Sequence, residues 1–295
     1  MTDDRAARPT LATRSARPTL TSAANPRLRA AAALRDRRDR VRTGRLLVDG
    51  AREVARALDA GVTLVEAFVA VGPYPDPEVA AVVARAASLG VPLVPIAPDL
   101  LARLAYGERA SGIVAVATAP GTSLAALSLP GIAPLVGVLE DVEKPGNLGA
   151  VCRSADGAGL DALIAAGGSA ASADPWNPNA VRASLGTVFT LPLAVAPTAD
   201  VLAWLRDRGM RVVAARIDGS VPYTEVDLTG PVALVLGSEA HGLTAGWSGG
   251  DVTAVRLPMR GRADSLNVAA AAAILFYEAR RQRDALAPAP SCVPP

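Results

Sequence analysis

Histidine, lysine and cysteine are nearly absent from this chain: His241 and Lys144 stand alone, and the two cysteines are Cys152 and Cys292. One histidine excludes paired-histidine metal motifs such as H-E-x-x-H and leaves little material for histidine-led proton transfer. Two cysteines, one of them in a Pro-rich end segment, make neither a disulfide framework nor a multi-cysteine zinc site, so a reducing cytoplasm is the expected compartment. Long hydrophobic runs are missing too. The longest apolar stretch, residues 268–277, falls far short of the roughly 20 residues a membrane-spanning helix needs, and no membrane partner is expected. The glycine fingerprint G-x-G-x-x-G is absent, which disfavours a dinucleotide oxidoreductase. The 26 glycines and 24 prolines are scattered without a period, which excludes collagen-like and low-complexity chains. Chemistry is left to Arg, Asn, Ser, Asp and Glu.

What is present is enough apolar material, 51% of 295 residues, to fill one large domain or two ordinary ones. The formal net charge of +2 hides an asymmetry. Residues 1–45 hold twelve arginines against Asp3, Asp4, Asp36 and Asp39, a net +8, and the remainder is correspondingly acidic. A basic front on an acidic body suits a nucleic-acid-binding arm, because phosphates reward clustered guanidinium groups. Residues 1–24 read equally well as a solvated, disordered basic tail.

The chain reads as α/β throughout. Residues 27–40 read as a basic helix with few apolar anchors; its Arg35, Arg37 and Arg38, with Arg42 just beyond it, are candidate contacts to nucleic-acid phosphates. Strand-like runs at 46–48, 64–71, 92–96 and 113–118 alternate with helical stretches at 51–59, 77–89 and 98–104, which defines a small domain over 25–118. Pro120, Gly121, Pro130 and Gly131 mark 119–133 as a linker. A second domain follows over 134–285. Its strands at 135–139, 162–166, 211–216, 232–236 and 252–257 are nearly continuous in Val, Leu, Ile and Ala, as in a parallel sheet covered on both faces. Helices are expected at 148–158, 180–185, 201–208 and 265–283, and 286–295 is a second disordered tail.

Three loops at the carboxyl ends of predicted strands carry the polar residues. The first, Lys144-Pro145-Gly146-Asn147-Leu148-Gly149 with Arg153, is either a ligand loop at a helix start or a well-made turn. In the second, Gly237 permits close backbone approach, Glu239 offers a carboxylate, and His241 lacks a sequence partner and suits a structural role. The third leads from Leu257 and Met259 to Ser265, a natural helix N-cap, and to Asn267, for which helix formation alone gives no reason. One shared site is the economical reading.

In this order the loops resemble the three motifs of the SpoU/TrmH family of RNA ribose 2′-O-methyltransferases. The residues carrying the resemblance are Pro145-Gly146-Asn147-Leu148-Gly149 with Arg153, Leu236-Gly237-Ser238-Glu239 with Gly242-Leu243, and Leu257-Pro258-Met259 with Ser265-Leu266-Asn267. Residues Asn177 to Gly186 are similar to a further recurrent segment of that family. The resemblance implies a SPOUT-type domain with a trefoil knot at its carboxyl end, S-adenosylmethionine as cofactor and a homodimer whose site draws on both subunits. It also implies a preceding ribosomal-protein-like RNA-binding domain.

By the same resemblance, Arg153 deprotonates or orients the ribose 2′-hydroxyl, Asn147 positions groups beside it, and Glu239, Ser265 and Asn267 shape the site. Gly237, Leu257 and Leu266, with Leu236 and Met259 beside them, are the expected cofactor contacts. Methyl transfer from a sulfonium is an in-line displacement, so the site must align three atoms and assist removal of one proton. One departure stands out: Lys144 occupies a position that is usually Asn or Asp in the family, either as an RNA phosphate contact or as a rim residue. Ribosomal RNA is the expected substrate, as in two-domain members that include self-protecting enzymes of antibiotic producers, with transfer RNA the alternative. A non-catalytic RNA-binding or ribosome-assembly protein would have no need of all five polar residues.

Overall fold

A computed structural model describes residues 18–73, 76–106, 112–167 and 174–286. They divide into two compact units: the described residues up to Pro120 with Trp176–Thr190, and Gly121–Pro175 with the chain from Leu191 onward. Of the expected tails, residues 1–17 and 287–295 lie outside the described residues. Residues 18–24 are not a free tail, because Leu20 bridges to Ile96 and exchanges backbone hydrogen bonds with Pro95 and Ala97.

The first unit begins with two short helices where the sequence predicts one. Asn25 caps α1 (Pro26–Ala33) by accepting from the Arg27 N–H at 2.9 Å. Asp36 then caps α2 (Arg37–Thr43) through the Arg38 N–H at 2.7 Å, and Gly44 ends it in the left-handed conformation. A short carboxylate competes for backbone N–H groups and so starts a new helix more readily than it continues an old one. The pair is also better anchored than its composition suggests: Leu28, Ala31 and Leu34 are buried with Phe68, Leu101 and Val114. Next come β1 (Arg45–Asp49), α3 (Ala51–Asp59), β2 (Leu64–Ala70), α4 (Pro77–Ser88), β3 (Leu93–Ile96), α5 (Pro98–Leu104) and β4 (Ile113–Thr118). The sheet order is β1-β4-β2-β3, with β4 antiparallel to both neighbours and β2 parallel to β3.

The second unit starts before its first strand. Within the expected linker, Leu124 and Leu129 pack on the unit's core, Leu127 is part of it, and the Thr122 carbonyl accepts from the Val195 N–H at 2.8 Å. That segment is therefore fixed to the second unit by ordinary apolar burial. β5 (Leu135–Glu140), α6 (Pro145–Ala158) and β6 (Ala162–Ala166) follow. The chain then contributes α7 (Pro178–Ala183) and α8 (Thr187–Thr190) to the first unit, although the sequence placed them in the second domain. There Arg182 pairs with Asp49 at 3.2 Å, the Asn179 amide donates to the Tyr106 hydroxyl at 2.9 Å, and Arg56 donates to the Leu185 carbonyl at 2.7 Å. Gly186, at φ 85°, has to be glycine: a Cβ would stand 3.0 Å from the Glu53 Cα.

β7 (Leu193–Ala196), which escapes sequence reading because it is four residues between two prolines, returns the chain to the second unit. Then come α9 (Thr198–Asp207), β8 (Arg211–Ala215), β9 (Val221–Pro222), β10 (Val232–Leu236), β11 (Val252–Arg256) and α10 (Val268–Leu286). The seven strands form one wholly parallel sheet, ordered β7-β6-β5-β10-β8-β11-β9. Its central strands are buried on both faces, as their unbroken apolar runs require. Trp204, Leu205 and Trp247 join the sheet residues Val136, Val138 and Val235 in one cluster. On the Gly137 side, α10 packs along α6, and Phe276 comes so close that a Cβ at Gly137 would lie 3.0 Å from its ring.

Candidate active site

Parallel strands put all their carboxyl ends on one edge, so the loops after β5, β10 and β11 emerge together. α6 begins right after the β5 loop and places Asn147 in its first turn. The β10 loop is a tight knuckle: the Gly242 N–H donates to the Ser238 carbonyl at 2.9 Å, and the His241 N–H donates to the Ser238 hydroxyl at 3.2 Å. Gly237 is required here, since a Cβ would lie 2.2 Å from the Gly242 carbonyl carbon. The chain's own backbone thus makes a close approach at Gly237. His241 is exposed and takes part in this turn through its backbone.

The knuckle carries Glu239 to the start of α6, where its carboxylate accepts a hydrogen bond from the Asn147 amide. The Asn147 carbonyl oxygen in turn accepts from the Asn267 amide at 3.3 Å. Three residues from three loops, 92 and 120 positions apart in sequence, therefore form one hydrogen-bonded chain. Asn267 is also the helix cap: its Oδ1 accepts from the Ala269 N–H at 2.9 Å and its carbonyl from the Ala271 N–H. This corrects the expectation that Ser265 caps the helix. α10 starts at Val268, three residues later than predicted, and Ser265 stands exposed in the loop. A Glu at the amino end of α6 is favoured electrostatically as well, because that helix has no acidic residue in its own first turn.

Arg153 is not drawn into this chain. It lies on the exposed face of α6, six residues beyond Asn147, and its guanidinium has no partner among the described residues. The opposite face buries Leu148, Val151, Cys152 and Ala155, and burial pushes the Cys152 thiol up to about 12. Lys144 occupies the N-cap position of α6 with extended backbone but forms no side-chain cap, since an ammonium cannot accept an N–H.

The expected cofactor contacts fit a ligand bound mainly through backbone. The peptide groups of Leu257, Met259 and Leu266 make no hydrogen bond among the described residues, and Leu266 leaves 38% of its surface exposed. Leu236 ends β10 and is buried, and Gly237 follows it. Peptide donors and acceptors without a partner among the described residues, together with an exposed leucine in the same loop, suit a flat heterocycle with polar edges, as in the adenosyl group of S-adenosylmethionine.

Of the arginines expected to meet RNA, Arg35 is spent elsewhere. Its Nη2 donates to the carbonyls of Arg103, Leu104 and Ala105 at 2.6, 3.1 and 2.7 Å, closing the end of α5. Arg42 pairs with Asp39 at 2.5 Å. Arg37 and Arg38 remain exposed on α2 beside Val41, which is 76% exposed. Sequence reading missed Glu140, a fully buried carboxylate at the end of β5; its one signal is an acid closing an otherwise apolar strand.

Comparison with known proteins agrees with this geometry. The SpoU rRNA methylase family matches residues 134–277, and the MRM3-like substrate-binding domain matches residues 25–115. The 23S rRNA (uridine(2479)-2′-O)-methyltransferase of Streptomyces viridochromogenes is 35% identical over 260 residues, covering 85% of this chain and 88% of that relative. A crystal structure of an RNA 2′-O ribose methyltransferase superposes with a TM-score of 0.80 at 40% identity, covering 90% of this chain and 99% of the other. The AdoMet-bound rRNA methyltransferase of Sinorhizobium meliloti gives 0.80 at 31% identity, with 90% and 97% covered. Fold, site and relatives define an S-adenosylmethionine-dependent RNA 2′-O-ribose methyltransferase. The chain belongs to the SpoU rRNA methylase family.

Proposed function

We propose that this enzyme methylates a ribose 2′-hydroxyl of ribosomal RNA in the cytoplasm, with the Asn147–Glu239–Asn267 chain as the fixed floor of its site. The observation that carries the reading is that chain itself, assembled from three loops at the edge where the cofactor-binding peptide groups also lie. When bound, S-adenosylmethionine supplies a methyl group on a sulfonium, ready for in-line displacement. Asn147, held from both sides, orients what enters beside α6, and Glu239 holds Asn147 in place. Arg153, a cation on the exposed face of the same helix, meets the ribose hydroxyl and favours loss of its proton, in the milder form by orienting it. Ser265 is a further exposed hydroxyl available to substrate.

Arg37 and Arg38 on the first unit contact RNA phosphates, Arg42 joins them by exchanging its Asp39 partner, and Lys144 sits at the rim. A homodimer completes the site, in keeping with the exposed Ile274 and Tyr277 on α10. The strand order, with α10 returning to α6 from beyond β11, suits a chain threaded as a trefoil knot.

The test is methyl transfer from labelled S-adenosylmethionine to separated ribosomal and transfer RNA fractions, with the position located by its resistance to alkaline cleavage. Label in ribosomal RNA as 2′-O-methylribose is the expected result. Label confined to transfer RNA refutes the substrate, and cofactor binding without label in any fraction refutes the reaction.

A further inference from the structure

Glu140 is wholly buried at the end of β5, and its hydrogen bonds among the described residues go to Thr198 and Thr244 rather than to the site residues. Burying a carboxylate is costly unless its oxygens are satisfied, and here they are. Oε1 accepts from the hydroxyls of Thr198 and Thr244, each at 2.8 Å, and Oε2 accepts from the Thr244 N–H at 2.7 Å. Thr198 opens α9, whose amino-terminal dipole also favours an anion. An apolar residue would have filled this strand end, as one does at the four other large-side-chain positions of β5, without demanding three donors.

The location of those donors gives the carboxylate a use. Thr244 follows directly on the knuckle that carries Glu239, and Glu140 directly precedes the loop that leads to Asn147. The knuckle is internally rigid through its Ser238–Gly242 closure and the tight Gly237 contact. Its tilt about its own base is therefore set by how Thr244 is tied down. Glu140 ties it to the strand that also carries α6, which closes a ring from β5 through Asn147 and Glu239 back to Thr244.

We infer that Glu140 is a positioning residue for methyl transfer, acting through Thr244 to hold Glu239 against Asn147. The inference rests on the reading of Glu239 as part of the site. The test is a double-mutant cycle on turnover at saturating cofactor and RNA, using Thr244→Val, which keeps the backbone donor, with Glu140→Gln as a second probe and Glu239→Ala, which removes the acceptor of the Asn147 amide, as the partner change. Thr244→Val lowers kcat about tenfold, the size of one lost hydrogen bond to a charged acceptor, with KM for RNA within about twofold; melting falls by a few degrees, because the buried carboxylate loses one donor. In a Glu239→Ala background the same change has no further effect. Additive losses in the double variant, or full turnover in a folded Thr244→Val protein, overturn the inference. A Glu239→Ala enzyme with normal turnover instead overturns the site reading beneath it. Should Glu140→Gln not fold, the Thr244 and Glu239 pair decides the matter alone.

Discussion

Asn267 performs two tasks with one side chain, and two substitutions separate them. Its Oδ1 caps α10 at Ala269, while its Nδ2 donates to Asn147. Asn267→Ala removes both. Loss of the cap costs about 1 kcal/mol, which in a unit of this size lowers the melting temperature by about 2–4 °C. Loss of one neutral hydrogen bond of about 1 kcal/mol, if it is needed to place Asn147 in the transition state, slows turnover about fivefold. Asn267→Asp keeps the capping oxygen and adds a negative charge at the helix start, so stability is retained. It also replaces the amide donor with an acceptor facing the Asn147 oxygen, and turnover falls by about tenfold or more. The assay is methyl transfer at saturating substrates alongside thermal melting of each variant. An Asp variant with full turnover would show that the amide is idle. Activity losses that simply follow the melting temperature would reduce Asn267 to a helix cap.

Arg153→Ala lowers turnover by about 10²-fold while melting and cofactor binding stay at parent values, because the side chain is exposed and has no partner among the described residues; near-normal turnover would remove Arg153 from the chemistry. Reversing Arg37 and Arg38 to Glu weakens RNA binding and flattens its salt dependence, with a log–log slope smaller by about 1–2; unaltered binding across salt would retire α2 as an RNA contact. Lys144→Asp supplies the cap that α6 lacks and stabilises the protein by about 1 kcal/mol in denaturant unfolding, and a weaker protein would contradict the capping geometry. Cys152 gives a pH signature. Its buried thiol stays protonated up to about 12, whereas in the unfolded chain it ionises near 9.0. Between those values the unfolded state holds fewer protons, so stability falls as pH rises, by up to about 1.4 kcal/mol per pH unit. Cys152→Ala removes that slope above pH 9, and identical alkaline slopes in both proteins would refute the assignment.

Much of this molecule is legible in one dimension because local signals fix local structure. Gly50 and Gly61 bracket α3, Pro98 opens α5, and the apolar runs at β6 and β10 read as buried parallel strands with their observed bounds. The three polar loops, and the family they resemble, are likewise written in short stretches of chain. The sequence alone therefore determines the two α/β blocks, the three loops and the kinds of residue that act. What it does not contain is competition between distant partners. Arg35 reads as a free cation among arginines, but it lies within reach of three carbonyls at the end of α5, and unsatisfied carbonyls outbid solvent. Asp36 splits one expected helix into two because a local cap outweighs continued periodicity. Ser265 and Asn267 are both good caps by type, and only the path of the chain out of β11 decides that Asn267 meets α10 and Asn147 together. Residues 176–190 leave the second block to pack on α3 and β1, where a glycine without a Cβ and the Arg182–Asp49 pair fit them. Glu140 becomes meaningful only when Thr198 and Thr244, 58 and 104 residues away, close around it. Such contacts are decided by the tertiary structure, because hydrogen-bond satisfaction and burial depend on distance in space and chain separation does not measure it.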